Sequence, residues 1–124
     1  MPNFEVIPVV DLMGGLVVHA RAGERDRYRP LESPLAASSE PADVVRGLLA
    51  LHPFRSLYIA DLDAIQGRGD HVAAVRALKE VGFRGFIIDD HVPFLVNDSP
   101  WSHRGRAFAT GYIKALVDVV NRRS

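Results

Sequence analysis

The sequence predicts an α/β protein with a parallel sheet, and two patterns in the chain support this fold class. Short apolar runs at residues 4–10, 56–60 and 85–88 are typical of strands that are buried on both faces. A segment with helical periodicity follows each run, and this alternation predicts parallel strands joined by right-handed crossovers. The carboxyl ends of the three strands should therefore meet at one edge of the sheet.

The helices are predicted from apolar stripes with start and stop signals. The first covers residues 41–51, with Ser39 as its cap and a proline in its first turn. The second follows Asp70 and ends before Gly82, which has the position after the helix where glycine is common. The third covers residues 102–121 and carries a long apolar stripe.

An aspartate follows each predicted strand: Asp11, Asp61 and Asp89. Ligands bind at the carboxyl edge of such sheets, where a rigidly held carboxylate can act as a general acid or base. Alternate side chains in Asp61-Leu62-Asp63 face opposite ways, so we predict that Asp61 rather than Asp63 faces the site. The alternative is that all of them are turn residues or helix caps.

A glycine pair interrupts the alternation after the first strand. Gly14 and Gly15 predict a tight turn into a short extra strand at residues 16–20, followed by a polar loop at residues 21–40. Gly15, His19 and Arg21 are candidates for substrate binding because they lie beside the first aspartate in sequence. Plain surface placement is the alternative for the two side chains.

Two further groups could bind ligands. The run Asp89-Asp90-His91 could bind a divalent cation or move a proton, with a solvated turn as the alternative. Arg104 and Arg106 oppose the positive end of the last helix dipole, and a bound phosphate or carboxylate would remove that conflict. Ordinary surface arginines are the alternative there.

Composition limits the classes of function. The 124 residues suit one domain, and 15 basic residues balance 15 acidic ones, which argues against nucleic-acid and membrane-surface partners. The absence of cysteine excludes disulfides and thiolate chemistry. With no basic leader and no long apolar run, we expect a cytoplasmic protein.

Three stretches carry a family resemblance over about residues 4–80: IPVVDLMGGLVVHARAGERDRYRPL, SPLAASSEPADVVRGLL and LYIADLDAIQGRGDHVAAVRAL. They resemble the amino-terminal part of the histidine-biosynthesis isomerases that act on phosphoribosylformimino aminoimidazole carboxamide ribotide. The resemblance implies a (β/α)₈ barrel, an Amadori-type aldose-ketose isomerisation of a small phosphorylated sugar derivative, and no cofactor. It implies that Asp11 is the general base, with Asp61 assisting.

The last third resembles a different family. GFRGFIIDDHVPFLVNDSPWSHRGRAFATGYIKALVDVV is similar to the carboxyl end of mannonate dehydratase-like lyases, over about residues 82–120. This resemblance implies that Asp90 binds manganese or another divalent metal and that His91 is an acid or base. A fusion point would then lie near residues 72–83.

Three β-α units cannot close an eight-stranded barrel, so the predicted fold is a partial (β/α) barrel within a single domain at residues 1–124. Three functions stay open: an aldose-ketose isomerase, a divalent-metal-dependent sugar-acid dehydratase, and a non-catalytic fragment. Unpaired sheet edges recruit partners, so we expect a homo-oligomer in each case.

Overall fold

The computed structural model describes residues 3–69, 72–84 and 95–122, which form a mixed α/β structure. The described residues belong to two compact units, divided near residue 85. The first unit contains a sheet with its flanking helices, and the second contains one long helix. The predicted third strand, at residues 85–88, lies outside the described residues.

The first unit contains an open sheet of four strands in the order β3-β2-β1-β4. The strands are β1 (Val9–Met13), β2 (Leu16–His19), β3 (Arg29–Pro30) and β4 (Tyr58–Asp61). The pairing of β1 with β4 is parallel, whereas β2 is antiparallel to both β1 and β3. The predicted parallel pairing is confirmed for β1 and β4, whereas β2, the predicted extra strand, is antiparallel because the turn at Gly14 and Gly15 folds it back along β1.

The first strand lies further along the chain than predicted. We expected residues 4–10, but β1 begins at Val9, and the residues before Pro8 are exposed. Pro8 has no backbone N–H, and its carbonyl accepts a hydrogen bond from the Tyr58 N–H at 3.0 Å. The ladder therefore begins after the proline, and Asp11 lies in the middle of β1 rather than beyond its end.

The first predicted helix is confirmed as α1 (Pro41–Leu51), but its predicted cap is wrong. Glu40 has the cap position, and its side chain makes no capping hydrogen bond. Ser38, one residue before the predicted cap, accepts a hydrogen bond from the Glu40 N–H and donates one to the Asp43 carboxylate at 2.6 Å. Both serines suit a cap by residue type, so only the path of the loop distinguishes them.

The remaining helices are α2 (Leu62–Ile65), α3 (Val72–Glu80) and α4 (His103–Arg122). The predicted role of Gly82 after α3 is confirmed, since its φ is +71°. The Gly82 N–H donates to the Lys79 carbonyl and the Phe83 N–H donates to the Leu78 carbonyl, which is the paired pattern of a Schellman motif. None of the helices in the described residues is long and apolar enough to span a membrane.

The core of the first unit lies on one face of the sheet. Its buried cluster contains Val10, Leu12, Val17, Val44 and Ala74, which come from β1, β2, α1 and α3. Both α1 and α3 therefore cover the same face of the sheet, as crossover helices do in α/β folds.

The predicted polar loop at residues 21–40 is docked on the sheet. It contains a 3₁₀ turn at Arg25–Arg27 and the short strand β3. The Leu31 N–H donates to the Val17 carbonyl, and the Val17 N–H donates to the Ser39 carbonyl, both at 2.8 Å. Backbone hydrogen bonds at both ends therefore fasten the loop to β2.

Gly47 in α1 is required by close packing, and its replacement by alanine should destabilise the protein. An added Cβ would overlap the carbonyl of Leu35 in the docked loop. Although alanine favours helices, we expect Gly47→Ala to lower the free energy of unfolding by about 1–3 kcal/mol, as overpacking does. Urea denaturation measures this change.

Gly111 in α4 is the matched control, because an added Cβ there meets no atom within 4 Å. We expect Gly111→Ala to increase helicity and to stabilise α4 by up to about 1 kcal/mol. Equal effects of the two substitutions would contradict the packing of Leu35 against α1.

Candidate functional site

Asp11 lies on the face of the sheet opposite to the core. Side chains alternate along a strand, and its neighbours Val10 and Leu12 are both buried in the core cluster. Asp11 is half-buried and lies beside Ala60 of β4 in the register. Within the described residues its carboxylate has no hydrogen-bond or ion-pair partner. Among the described residues, nothing therefore pairs with the carboxylate on this face.

Asp61 lies on the other face. Its register partner on β1 is Leu12, so the Asp61 side chain points towards the core, and it is only 6% exposed. Its Oδ1 accepts a hydrogen bond from the Ala64 N–H at 3.1 Å and caps α2. The structure therefore does not bring the carboxylates of Asp11 and Asp61 together on one face, and the assisting role of Asp61 stays a prediction.

Asp63, which the sequence argument set aside, contacts the glycine turn after β1. Its Oδ2 accepts a hydrogen bond from the Gly14 N–H at 2.5 Å. Gly14 and Gly15 both have positive φ, at +62° and +78°, and nothing lies within 4 Å of a Cβ built on either. Alternation in Asp61-Leu62-Asp63 is not strand-like, because α2 begins at Leu62. The alternation argument therefore does not apply to these residues, and the choice of Asp61 as the residue that faces the site stays a prediction.

Two of the other candidates near β1, His19 and Arg21, lie away from the glycine turn at its carboxyl end. Because β2 is antiparallel to β1, Leu16 pairs with Met13 at the turn, whereas His19 pairs with Arg29 of β3. Three residues of strand place His19 about 10 Å further along from Leu16. Of the three predicted substrate-binding residues in this region, only Gly15 lies at the carboxyl end of β1. His19 and the exposed Arg21 do not, and their role in binding stays a prediction.

At the amino terminus of α4, where we expected a bound anion, lies the carboxylate of Asp98. The Asp98 carboxylate accepts hydrogen bonds from the N–H groups of Arg104 and Gly105, at 2.9 and 2.8 Å. Arg104 and Arg106 are both exposed, and the Arg106 Nε donates to the Trp101 carbonyl. The conflict between these arginines and the helix dipole is therefore relieved by Asp98. Phosphate binding by the two arginines stays a prediction.

The pKa of Asp98 is clearly shifted from its ordinary value. Desolvation is the largest single influence and raises its pKa. The backbone N–H groups of Arg104, Gly105 and Ser99, together with the positive charge of Arg104, outweigh that effect and lower the pKa below its ordinary value. The carboxylate is therefore held in its charged form, in which both of its oxygens accept hydrogen bonds from backbone N–H groups at the start of α4.

The predicted metal site cannot be placed, because Asp89, Asp90 and His91 lie outside the described residues. Within the residues that the structure describes, no group of three or more His, Asp or Glu side chains could hold a metal ion. The manganese or other divalent metal and the roles of Asp90 and His91 stay predictions. So do the single domain, the fusion point near residues 72–83 and the homo-oligomer.

The described residues define an α/β protein in which the Asp11 carboxylate has no partner among them and lies on the sheet face opposite to the core cluster. Known proteins were compared with this chain. No family model and no solved structure matches the chain. The chain is similar to curated proteins of three archaea, however. One is an uncharacterized protein of Methanocaldococcus jannaschii, which is 39% identical over 85 residues, covering 68% of this chain and 36% of that protein.

The other two relatives are named 1-(5-phosphoribosyl)-5-((5-phosphoribosylamino)methylideneamino)imidazole-4-carboxamide isomerases. The protein of Haloarcula marismortui is 33% identical over 78 residues, which is 62% of this chain and 28% of the relative. That of Natronomonas pharaonis is 38% identical over 80 residues, which is 64% of this chain and 30% of the relative. The chain thus spans about a third of the length of the curated relatives it matches.

These relatives support the resemblance to the isomerases over part of the chain. They give no support to the resemblance of the last third to mannonate dehydratase-like lyases, which stays a prediction.

The cap of α4 should weaken in acid. Because the native pKa of Asp98 is lowered, its stabilising effect is present above the pKa of the unfolded chain, near 4, and is lost as the pH falls through the native pKa. In wild-type protein we expect the amide resonances of Arg104 and Gly105 to shift, and the protection of these amides from hydrogen exchange to fall, as the pH drops below about 4.

In Asp98→Asn, the amides of Arg104 and Gly105 should exchange faster at neutral pH than they do in wild type. They should show no such transition in acid. Asp118→Asn is the control, because Asp118 pairs with Lys114 on the same helix and does not touch its amino terminus. An acid transition of the same size in wild type and Asp98→Asn would contradict the assignment of the cap.

Proposed function

We propose that the chain is an isomerase-like (β/α) fragment that acts on a small phosphorylated sugar derivative, with Asp11 as the general base. The single observation that carries this proposal is the position of Asp11. It lies in mid-strand on the sheet face opposite to the core cluster, and its carboxylate has no partner within the described residues. In a (β/α) barrel, helices cover one face of the sheet and the other face lines the interior.

The proposed reaction class is an aldose-ketose isomerisation. It is supported by the word isomerase in the names of two relatives and by the ability of a single carboxylate to act as a base. In an aldose-ketose isomerisation, a base removes the proton from C2 of the opened sugar and a proton is delivered to C1. Oxidation at C2 balances reduction at C1, so the reaction needs no redox cofactor. A rigidly held carboxylate suffices for this proton transfer, which general-base catalysis accelerates by about 10²–10⁴-fold.

The surroundings of Asp11 leave room for a ligand. The glycine turn that follows β1 has open space where side chains would be, and it is exposed. On the same face, the β1 and β4 residues nearest to Asp11 are apolar, namely Val9, Met13 and Ala60. Apolar neighbours with a single polar group suit a site that must hold a base away from competing partners.

Asp11→Asn should abolish isomerisation, because an amide cannot accept the C2 proton. The assay incubates the protein with the phosphoribosylamino imidazole carboxamide in the names of the two relatives and follows an isomerised ketose product by chromatography. We expect a loss of at least about 10²-fold in kcat, with the fold unchanged by circular dichroism.

Asp26→Asn is the matched control, since Asp26 lies in the exposed 3₁₀ turn of the docked loop. Its kcat should equal that of wild type. Wild-type turnover that survives in Asp11→Asn would refute the role of Asp11.

Asp61→Asn tests whether the second aspartate contacts the substrate. Asparagine caps helices about as well as aspartate, so α2 should stay intact. From the position of Asp61 on the core face, we expect kcat to stay well above that of Asp11→Asn. An equal loss in both variants would place Asp61 in the proton transfer.

A further inference from the structure

We infer that Asp63 is a positioning residue that holds the carboxyl end of β1, and with it Asp11, through a hydrogen bond to the glycine turn. The catalytic meaning of this inference rests on the proposed function, whereas the mechanical link does not. Asp63 is 49 residues away from Gly14 in sequence, so the bond joins two separate parts of the first unit.

The need for such a link comes from the way the parallel ladder ends. Register pairs join β1 to β4 from Val9 and Tyr58 up to Leu12 and Asp61. Beyond that point the chain turns into α2 at Leu62, so β4 can offer no further ladder bond. The bond from the Gly14 N–H to Asp63 continues the connection between the two segments just past the end of the ladder.

Asp63 is itself held in place from its other side. Its backbone carbonyl accepts a hydrogen bond from the Arg68 N–H at 2.7 Å, and a Cβ on Gly69 would lie in ordinary contact with the Asp63 Cβ, at 3.5 Å. The same residue therefore connects the glycine turn after β1 to the loop after α2. Because this hydrogen bond holds the backbone of Asp63, the Asp63 side chain can fix the position of the glycine turn.

The glycine turn is close enough to Asp11 for its position to matter. Asp11 precedes Gly14 by three residues, and the register pairs Leu12 with Val17 and Met13 with Leu16 join β1 to β2 near the turn. A short hairpin of this kind is marginally stable alone. Because a charged acceptor makes a stronger hydrogen bond than a neutral one, the carboxylate of Asp63 is a suitable anchor.

The first test measures the link without any activity. Amide hydrogen exchange of Gly14 is compared in wild type, Asp63→Ala and Asp63→Asn, together with the carboxyl carbon resonance of Asp11. In Asp63→Ala we expect Gly14 to exchange about tenfold faster and the Asp11 resonance to move. In Asp63→Asn, whose amide oxygen still accepts a hydrogen bond, both changes should be smaller.

Gly23 is the internal control for exchange, because it also has a positive φ but lies in the loop after β2. Its exchange rate should be unaffected by either substitution. An unchanged Gly14, or an Asp11 resonance that stays in place while Gly14 exchanges faster, would overturn the inference.

The second test separates positioning from substrate binding. In the isomerase assay, Asp63→Ala should lower kcat by about tenfold with KM within about twofold of wild type, and Asp63→Asn should recover part of kcat. A raised KM with unchanged kcat would overturn the inference, because it would place Asp63 in substrate binding. If wild type shows no turnover, the proposed function fails. The exchange rate of Gly14 and the Asp11 resonance still show whether Asp63 holds the glycine turn.

Discussion

The register between β1 and β4 is the constraint on which the first unit depends. Four pairs of residues join these strands in parallel, from Val9 with Tyr58 to Leu12 with Asp61. Because side chains alternate, this register sends Val10 and Leu12 into the core beneath α1 and α3 and leaves Asp11 on the other face. A slip by one residue would bury the Asp11 carboxylate and expose Leu12, at a cost that a small core could not offset.

The acidic side chains of this protein show how one chemical property serves two purposes. A carboxylate that can accept a proton can also accept a hydrogen bond from a backbone N–H group left unpaired at a turn or a helix end. Asp61, Asp63 and Asp98 each do this, at α2, at the glycine turn and at α4. Asp11 differs because it lies in mid-strand beside Ala60 of β4, and within the described residues its carboxylate accepts no hydrogen bond.

Local patterns predicted the helices well and the placement of the carboxylates poorly. The bounds of α1 and the Schellman motif at Gly82 depend on residues within one or two turns, so periodicity and glycine position were enough. The path of β2 and the docking of the loop at residues 21–40 depend on contacts between separate segments of the chain. Strand patterns identify which residues are apolar, but they do not state which strand pairs with which or in what direction.

The sequence alone determined the α/β class, the helices α1, α3 and α4, the glycine turn and the candidacy of Asp11, because composition, spacing and propensity are local properties of the chain. Only the tertiary structure decided that Asp11 and Asp61 point to opposite faces, that Asp63 holds the turn and that Asp98 caps α4. The physical reason is that each of these facts depends on a register or a hydrogen bond between segments, and neither can be formed until the chain has folded.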